Sequence, residues 1–315
     1  MKAQLHYHPS FFSKRDRPSL LQVLRQADKK DIDLLTITSF SKKTEKEEHI
    51  DLRWNYFLSD MEAQKGNVEE FDVKYWHTPL KGTSQGIIAT KKDNSSSIYL
   101  IHGQGIWTNL GDIMILFAEQ RVPVEEIEDK FYNFLTEAKH EKRFGKRENM
   151  VMGIPHPNRS THLSSRDLKK LYEDGYIDYI ERFNALNTFK GNLDSEKISR
   201  ETDIPGIAVT DGHKLKDIAN AITVLYINPQ DNNRMTYEQM GNITRQCIRN
   251  KDFDTNENYL PITSKLHYVF NLAMAMVFPE YNPAPNSNAR QVIKNINPEK
   301  ETIYYKEHYR NEQKP

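Results

Sequence analysis

The sequence predicts an α/β barrel, and three observations carry that prediction. Strand-like and helix-like segments alternate from residue 3 to residue 227, the rhythm of parallel strands joined by crossovers. No G-x-G-x-x-G follows any of those strands, which favours a barrel over an open dinucleotide-binding sheet. Residues able to bind a metal or move a proton, His8, His156, Asp211 and His213, fall just past predicted strand ends, where barrels of this kind build their active sites.

Residues 3–7 read as a short strand, followed by a polar loop over 9–18 in which Lys14, Arg15 and Arg17 are placed to meet an anion or plain water. Ser19 caps an amphipathic helix with Leu20, Leu21, Leu24 and Ala27 on its apolar face. Residues 32–38 form a second, largely apolar strand, so the unit implies a right-handed parallel crossover. Residues 42–65 are highly charged, but Ile50, Trp54, Phe57, Leu58 and Met61 recur at helical spacing and predict a helix over the sheet.

Residues 86–90 and 98–102 read as neighbouring strands across a turn-rich Lys-Lys-Asp-Asn-Ser-Ser-Ser connection. Helices are expected over 110–120 and 124–139, with Pro123 between them. A strand over 151–155, a helix from Ser164 or Ser165 to Glu173 and a strand over 179–183 come next. A short helix over 195–202, a strand over 206–209, a helix over 214–221 and a strand over 222–227 complete the barrel domain, residues 1–227. Residues 228–315 read as a helical extension packed on it, with helices over 237–249 and 264–278 and a Pro/Asn-rich, then charged tail.

Composition narrows the function classes. Lys+Arg and Asp+Glu both number 44, so no overall basic excess draws in nucleic acid, although a local basic stripe would suffice. One cysteine, Cys247, excludes a disulfide framework and a multi-cysteine zinc site. With no apolar run of spanning length and no secretory leader, the chain reads as cytoplasmic.

The motifs are short. His6 and His8 stand at i, i+2 on an extended segment, so they share a side, and Asp211 and His213 repeat that spacing at the end of the Gly206 strand. His156-Pro157 ends a third strand. Ligands from strand ends so far apart in sequence suggest one site closed across a parallel sheet. Taken alone, His6 and His8 would be structural; coincidence with Asp211 and His213 favours a metal. Arg159 has the planar fork that clamps phosphate, or it is a solvated loop arginine, and His162 is equally open. His49, His140, His267 and His308 are assigned no role.

In this order, the H-x-H of His6 and His8, the H-P of His156 and the D-x-H of Asp211 and His213 resemble the PHP (polymerase and histidinol phosphatase) family over about residues 1–227. The resemblance implies a distorted seven-stranded (β/α)7 TIM-like barrel, here with a C-terminal helical extension. It also implies phosphoester hydrolysis on a cluster of up to three metals, with His6, His8, His156, Asp211 and His213 at the matching ligand positions; in this chain His156 and His213 are expected to complete the ligand set or to handle protons. Glu181 with Asn184 resembles the family's E-x-x-N stretch, though interior polar packing accounts for it equally. Nitrogen and oxygen ligands of this kind suit Zn²⁺, Mn²⁺ or Fe²⁺, and such an ion polarises a phosphoryl oxygen and lowers the pKa of its water toward about 7.

The chain also departs from the family. Where the family has T-D-H this sequence reads Thr38-Ser39-Phe40, and Gly105 aligns with the metal-bridging glutamate. Two divalent ions about 4 Å apart repel by roughly 17 kcal/mol at an effective dielectric of about 20. Asp211 being the single matched anion, one ion is expected and not three. Three readings follow: one metal on His6, His8 and Asp211 with His156 or His213 completing it; lost ligands replaced by His102 or a carboxylate from elsewhere; or a fold that has lost catalysis and binds a partner. The function expected is a divergent phosphoesterase acting on a small phosphorylated substrate or a nucleotide-type phosphodiester, the alternative a binding or scaffold protein with a degenerate site. A homo-oligomer contact through the extension is compatible with either reading, and a membrane partner is not expected.

Overall fold

The structure is a computed structural model describing residues 1–9, 18–41, 67–77, 84–108, 110–119, 135, 139, 145–161, 163–227, 235–261 and 264–265. The helices expected over 42–65, over most of 124–139 and beyond Lys265, the loop carrying Lys14, Arg15 and Arg17, and His162 lie outside those residues. Among the described residues no helix is long and apolar enough to cross a membrane.

Among the described residues twelve strands form one sheet. The barrel wall follows β1 (Lys2–Gln4), β2 (Leu34–Ser41), β6 (Ser97–Thr108), β7 (Gly111–Leu116), β8 (Val151–Ile154), β9 (Tyr179–Asn184) and β10 (Gly206–Val209). β1, β2 and β6 are parallel, as are β8, β9 and β10, while β7 runs antiparallel between the two groups. The seam is closed at the C-terminal ends of β1 and β10 by a parallel bridge between Tyr7 and Gly212. Two backbone bonds flank it, Asp211 N–H to the His6 carbonyl and His8 N–H to the Gly212 carbonyl, each 2.9 Å.

Lower down, β11 (Ala221–Leu225) pairs antiparallel with β1 and carries β12 (Phe253–Glu257) on its other edge. Toward β10 it is joined by threonine hydroxyls: Thr223 Oγ1 donates to the Ala208 carbonyl at 3.0 Å and Thr210 Oγ1 to the Ala221 carbonyl at 2.9 Å. The result is a mixed α/β fold around a nearly closed barrel. β3 (Asn67–Val68), β4 (Phe71–His77) and β5 (Ser84–Lys91) extend the sheet from the first part of β6.

The helices start where their caps dictate. α1 (Leu20–Lys29) opens on a reciprocal bond between Ser19 and Gln22 and buries Leu20, Val23, Leu24 and Ala27 against β2 and β6 residues such as Leu35, Ile37 and Leu100. α2 (Pro157–Ser160) is one turn. α3 (Ser165–Glu173) is capped by Ser164, and α4 (Phe189–Thr202) by Thr188, earlier than the sequence suggested. α5 (Tyr237–Asn250), capped by Thr236, sends Tyr237, Met240, Cys247 and Ile248 into the same core as the barrel-interior residues Ala3, Leu34, Met114 and Val151. It closes the N-terminal end of the barrel. Gly241 permits this approach, since a Cβ there would lie 2.0 Å from the Asn149 carbonyl just before β8.

Two expected helices are corrected. The first, over 110–120, is β7: Met114 and Leu116 fill the interior while Ile113 and Ile115 pack in the outer layer. A strand buried on both faces reads as a continuous apolar run, which periodicity does not separate from a buried helix. The second, over 214–221, is a 3-10 turn, Leu215–Asp217. Ala219, at φ 67°, takes the left-handed conformation that ends it before β11 begins at Ala221.

Candidate metal centre

The centre lies at the C-terminal mouth of the barrel, and each residue is carried there by its strand. On β10, Ile207 and Val209 point into the interior, and the next residue in that alternation is Asp211. On β9, Tyr179 faces the interior and Glu181 follows two residues later. On β1 the alternation slips: Leu5 packs in the interior core but Tyr7 packs in the outer layer with α1. Gln4 Nε2 bridges the slip by donating to the His6 carbonyl at 2.6 Å. That slip turns both His6 and His8 inward.

The buried donor atoms of His6, His8 and Asp211 lie within 4.8 Å of one another, a set able to hold a metal ion. The chemistry of the set fits a cation. His6 Nδ1 is 2.6 Å from Glu181 Oε1 and His8 Nδ1 is 3.1 Å from the Thr38 carbonyl. A carboxylate and a carbonyl only accept, so both Nδ1 atoms carry the proton and each Nε2 is left with its lone pair. Those two Nε2 atoms stand 2.8 Å apart, 3.5 and 3.6 Å from Asp211 Oδ1. Converging lone pairs of this kind need a positive centre among them, a metal or a proton. The carboxylate behind His6 is the arrangement that orients metal-binding imidazoles.

The electrostatics agree. Burial alone would lower the His6 pKa, but Glu181 and Asp211 together outweigh it and raise it. Burial likewise opposes ionisation of Glu181 and Asp211, yet the facing histidines, and for Asp211 also Arg159, hold both carboxyls below their ordinary range. Glu181 Oε2 accepts from the His156 backbone N–H at 3.0 Å and from Asn184 Nδ2 at 2.9 Å. Asn184 Nδ2 also reaches Asp211 Oδ2 at 3.1 Å, tying the two carboxylates together.

The other predicted residues stand beside the trio. The His213 ring stacks on His8 at 4.9 Å, with Nε2 3.9 Å from Asp211 Oδ1. The His156 ring centroid is 6.2 Å from that of His6, and burial first, then Arg159, push its pKa down to about 4. His156 and Asp211 both hold left-handed backbone, φ 30° and 50°, the kind of strain that gathers at functional sites. Arg159 donates to Asp211 Oδ2 at 3.3 Å.

Of the three positions that depart from the expected ligand pattern, Ser39, Phe40 and Gly105, the first two are consecutive on β2 and Phe40 is the register partner of Gly105 on β6. The losses therefore fall on one wall, and the retained residues occupy the other. His102 alternates with Leu100 and Ile106, which pack outside the barrel, so it does not replace them. A glycine is required next to that wall at Gly103, where a Cβ would lie 2.4 Å from Thr36 Cγ2. Sequence reasoning gave Glu181 no firm task. Its E-x-x-N spacing to Asn184 was the available signal, but its bond to His6 spans 175 residues.

The fold and the site together define a barrel protein with a strand-end His/His/carboxylate cluster able to hold a divalent cation. No family model matches the chain, and no curated protein matches it. Among solved structures it is similar in fold to PsfC from Pseudomonas syringae PB-5123, at 11% identity and a TM-score of 0.51, over 88% of this chain and 98% of that one. Looser likenesses cover 68% of this chain and 88% of each partner. One is a Bifidobacterium adolescentis protein provisionally described as a metal-dependent phosphoesterase, at 11% identity and TM-score 0.35. The other is an amidohydrolase from Chromobacterium violaceum with bound sulfate and no metal, at 10% identity and TM-score 0.36.

Proposed function

We propose that the chain is a divergent, PHP-like, metal-dependent phosphoesterase. The observation that supports this most is the convergence of His6 Nε2, His8 Nε2 and Asp211 Oδ1 with both Nδ1 atoms committed elsewhere. These three residues would hold one Zn²⁺, Mn²⁺ or Fe²⁺, which when bound supplies Lewis-acid polarisation of a phosphoryl oxygen and acidifies a water. The chain's own groups do the rest. Glu181 and the Thr38 carbonyl keep the two imidazoles aimed at the site. His156, neutral at pH 7 with its pKa near 4, is suited to accept a proton at a ring nitrogen or to complete the ligand set, and His213 beside His8 to do the same. In this reading residues 1–227 are the catalytic domain, residues 228–315 are an extension whose helix α5 closes its far end, and the substrate is a small phosphorylated compound or nucleotide met in the cytoplasm.

The test is metal analysis of protein purified without chelator, combined with turnover of p-nitrophenyl phosphate. About one transition-metal equivalent, and turnover that His6→Ala abolishes, is the expected result. Protein with no transition metal, and with no activity on adding Mn²⁺ or Zn²⁺, supports the second reading, a non-catalytic binding protein on the same fold. The ligand-free pairing of Phe40 with Gly105 favours that reading.

A further inference from the structure

Strand β9 outruns one neighbour at the mouth. β8 pairs with it only as far as Ile154 opposite Ile180, so among the described residues no strand faces Asn184 on that side. A side chain from α4 takes the place of one. Asn192 Oδ1 accepts from the Asn184 N–H at 3.1 Å, and Asn192 Nδ2 donates to the Asn184 carbonyl at 3.0 Å. Together they are a donor and acceptor pair of the kind a neighbouring strand supplies. Asn192 is buried, and its place on the helix is set locally. Thr188 Oγ1 caps the Gly191 N–H at 3.0 Å. Gly191 lets this first turn close on Asn187 and Asn158, whose side-chain atoms lie 2.6 and 2.7 Å from where a Cβ would stand.

Asn184 in turn joins the two carboxylates of the centre. On the β10 side the next residue, Ala185, donates its N–H to the Val209 carbonyl at 3.0 Å, so the backbone here is held from both sides. Asn184 Oδ1 accepts from the Leu186 N–H at 3.0 Å, which commits the oxygen and leaves Nδ2 to face the carboxylates. Nδ2 donates to Glu181 Oε2 at 2.9 Å and to Asp211 Oδ2 at 3.1 Å. Those bonds settle which oxygen each carboxylate turns to the imidazoles: Glu181 Oε1 to His6 Nδ1, and Asp211 Oδ1 to the two Nε2 atoms. Asn192 itself bonds to neither carboxylate. Resting on the metal-dependent reading above, we infer that Asn192 is a positioning residue for the metal centre. By standing in for the absent strand it fixes Asn184, and through Asn184 it keeps Asp211 Oδ1 turned toward the cation.

The experiment is a double-mutant cycle read by calorimetric titration of chelator-treated protein with Mn²⁺, with thermal melting alongside. Asn192→Ala is expected to weaken Mn²⁺ binding about tenfold, the lower end of the loss that follows removal of groups behind metal ligands, and Asn184→Ala at least as much. In the Asn184→Ala background, Asn192→Ala should change affinity by less than about twofold, because no side chain remains to pass its loss on. Thr202→Ala removes bonds to the Ile198 carbonyl and from the Ile204 N–H at the other end of α4. It should lower the melting temperature yet leave affinity within about twofold of wild type, which separates a loosened helix from a displaced Asn184. If Asn192→Ala does not fold, Asn192→Asp carries the same cycle: it keeps the shape and the acceptor for the Asn184 N–H and loses the donor. Any direct effect of its charge persists in the Asn184→Ala background. Wild-type affinity in the single variant, equal losses in both backgrounds, or a tenfold loss in Thr202→Ala overturns the inference. If wild type binds no Mn²⁺, the metal reading fails on its own and the crystal structure of the Asn192 variant decides. An Asn184 amide still bonded to both carboxylates removes the positioning role, and one turned away from Asp211 upholds it.

Discussion

Glu181→Gln isolates the orientation of the His6 imidazole, a candidate metal ligand, from its identity. Glu181 is fully buried, with Oε1 2.6 Å from His6 Nδ1 and Oε2 accepting from the His156 N–H and from Asn184. A glutamine fills the same volume but replaces one acceptor with a donor. If its amide nitrogen faces His6, the ring must move its proton to Nε2 and lose the lone pair that would meet a cation. If it faces the other way, the His156 N–H and the Asn184 amide each lose their acceptor in the interior, at about 1–3 kcal/mol apiece. Either orientation weakens the site, and second-layer losses of this kind lower metal affinity about 10–100-fold, which is about 1.4–2.7 kcal/mol. Calorimetric titration of chelator-treated protein with Mn²⁺ reads this directly. Wild-type affinity in Glu181→Gln would refute the reasoning, because it would mean that the Nδ1 proton does not govern which nitrogen faces the metal.

Three further outcomes follow from the structure. In chelator-treated protein, His156 stays neutral when folded while the unfolded residue protonates near the ordinary histidine value of 6.5, so between pH 6.5 and about 4 the unfolded state binds the extra proton and stability falls as pH falls. Urea unfolding at pH 7 and pH 5 should show a drop of the order of ~1–3 kcal/mol that is absent in His156→Gln, and parallel curves would contradict it. Asp178, wholly buried, accepts from Arg147, Arg245 and Arg249 and from the Met152 N–H, and so docks α5 on the barrel. Asp178→Ala should cost about 3–5 kcal/mol, measured by chemical denaturation, and a loss under 1 kcal/mol would show that the arginines find other partners. Gly241→Ala forces a methyl toward the Asn149 carbonyl and Phe117 Cβ, 2.9 Å away. About 1–3 kcal/mol of destabilisation is expected, and an unchanged melting temperature would mean that α5 is not seated as described.

The directions of the candidate ligands were more legible in the sequence than the strand pairings that bring them together. Spacing of i, i+2 on extended chain placed His6 with His8 and Asp211 with His213, because side-chain direction in a strand is a local property. What brought the pairs together, the bridge of Tyr7 to Gly212, is a long-range pairing with no local signature. Glu181 and Arg159 illustrate the same limit: both residue types were visible, but their bonds to His6 and Asp211 depend on β8, β9 and β10 lying side by side. β7 reads as a helix because its apolar run is buried on both faces, and β12 carries no strand signal because Phe253–Glu257, polar and largely exposed, gains its strand character from pairing with β11. α1 and α3, by contrast, start at caps the sequence offered, Ser19 for α1 and, of Ser164 and Ser165, Ser164 for α3, since a cap acts within one turn.

The central claim is that one cation is held where the first strand meets the tenth. Anomalous diffraction at the manganese edge, from crystals grown with Mn²⁺, tests it most directly. A single strong peak among His6 Nε2, His8 Nε2 and Asp211 Oδ1 is predicted. An empty position there, with the two imidazoles still 2.8 Å apart, would contradict it.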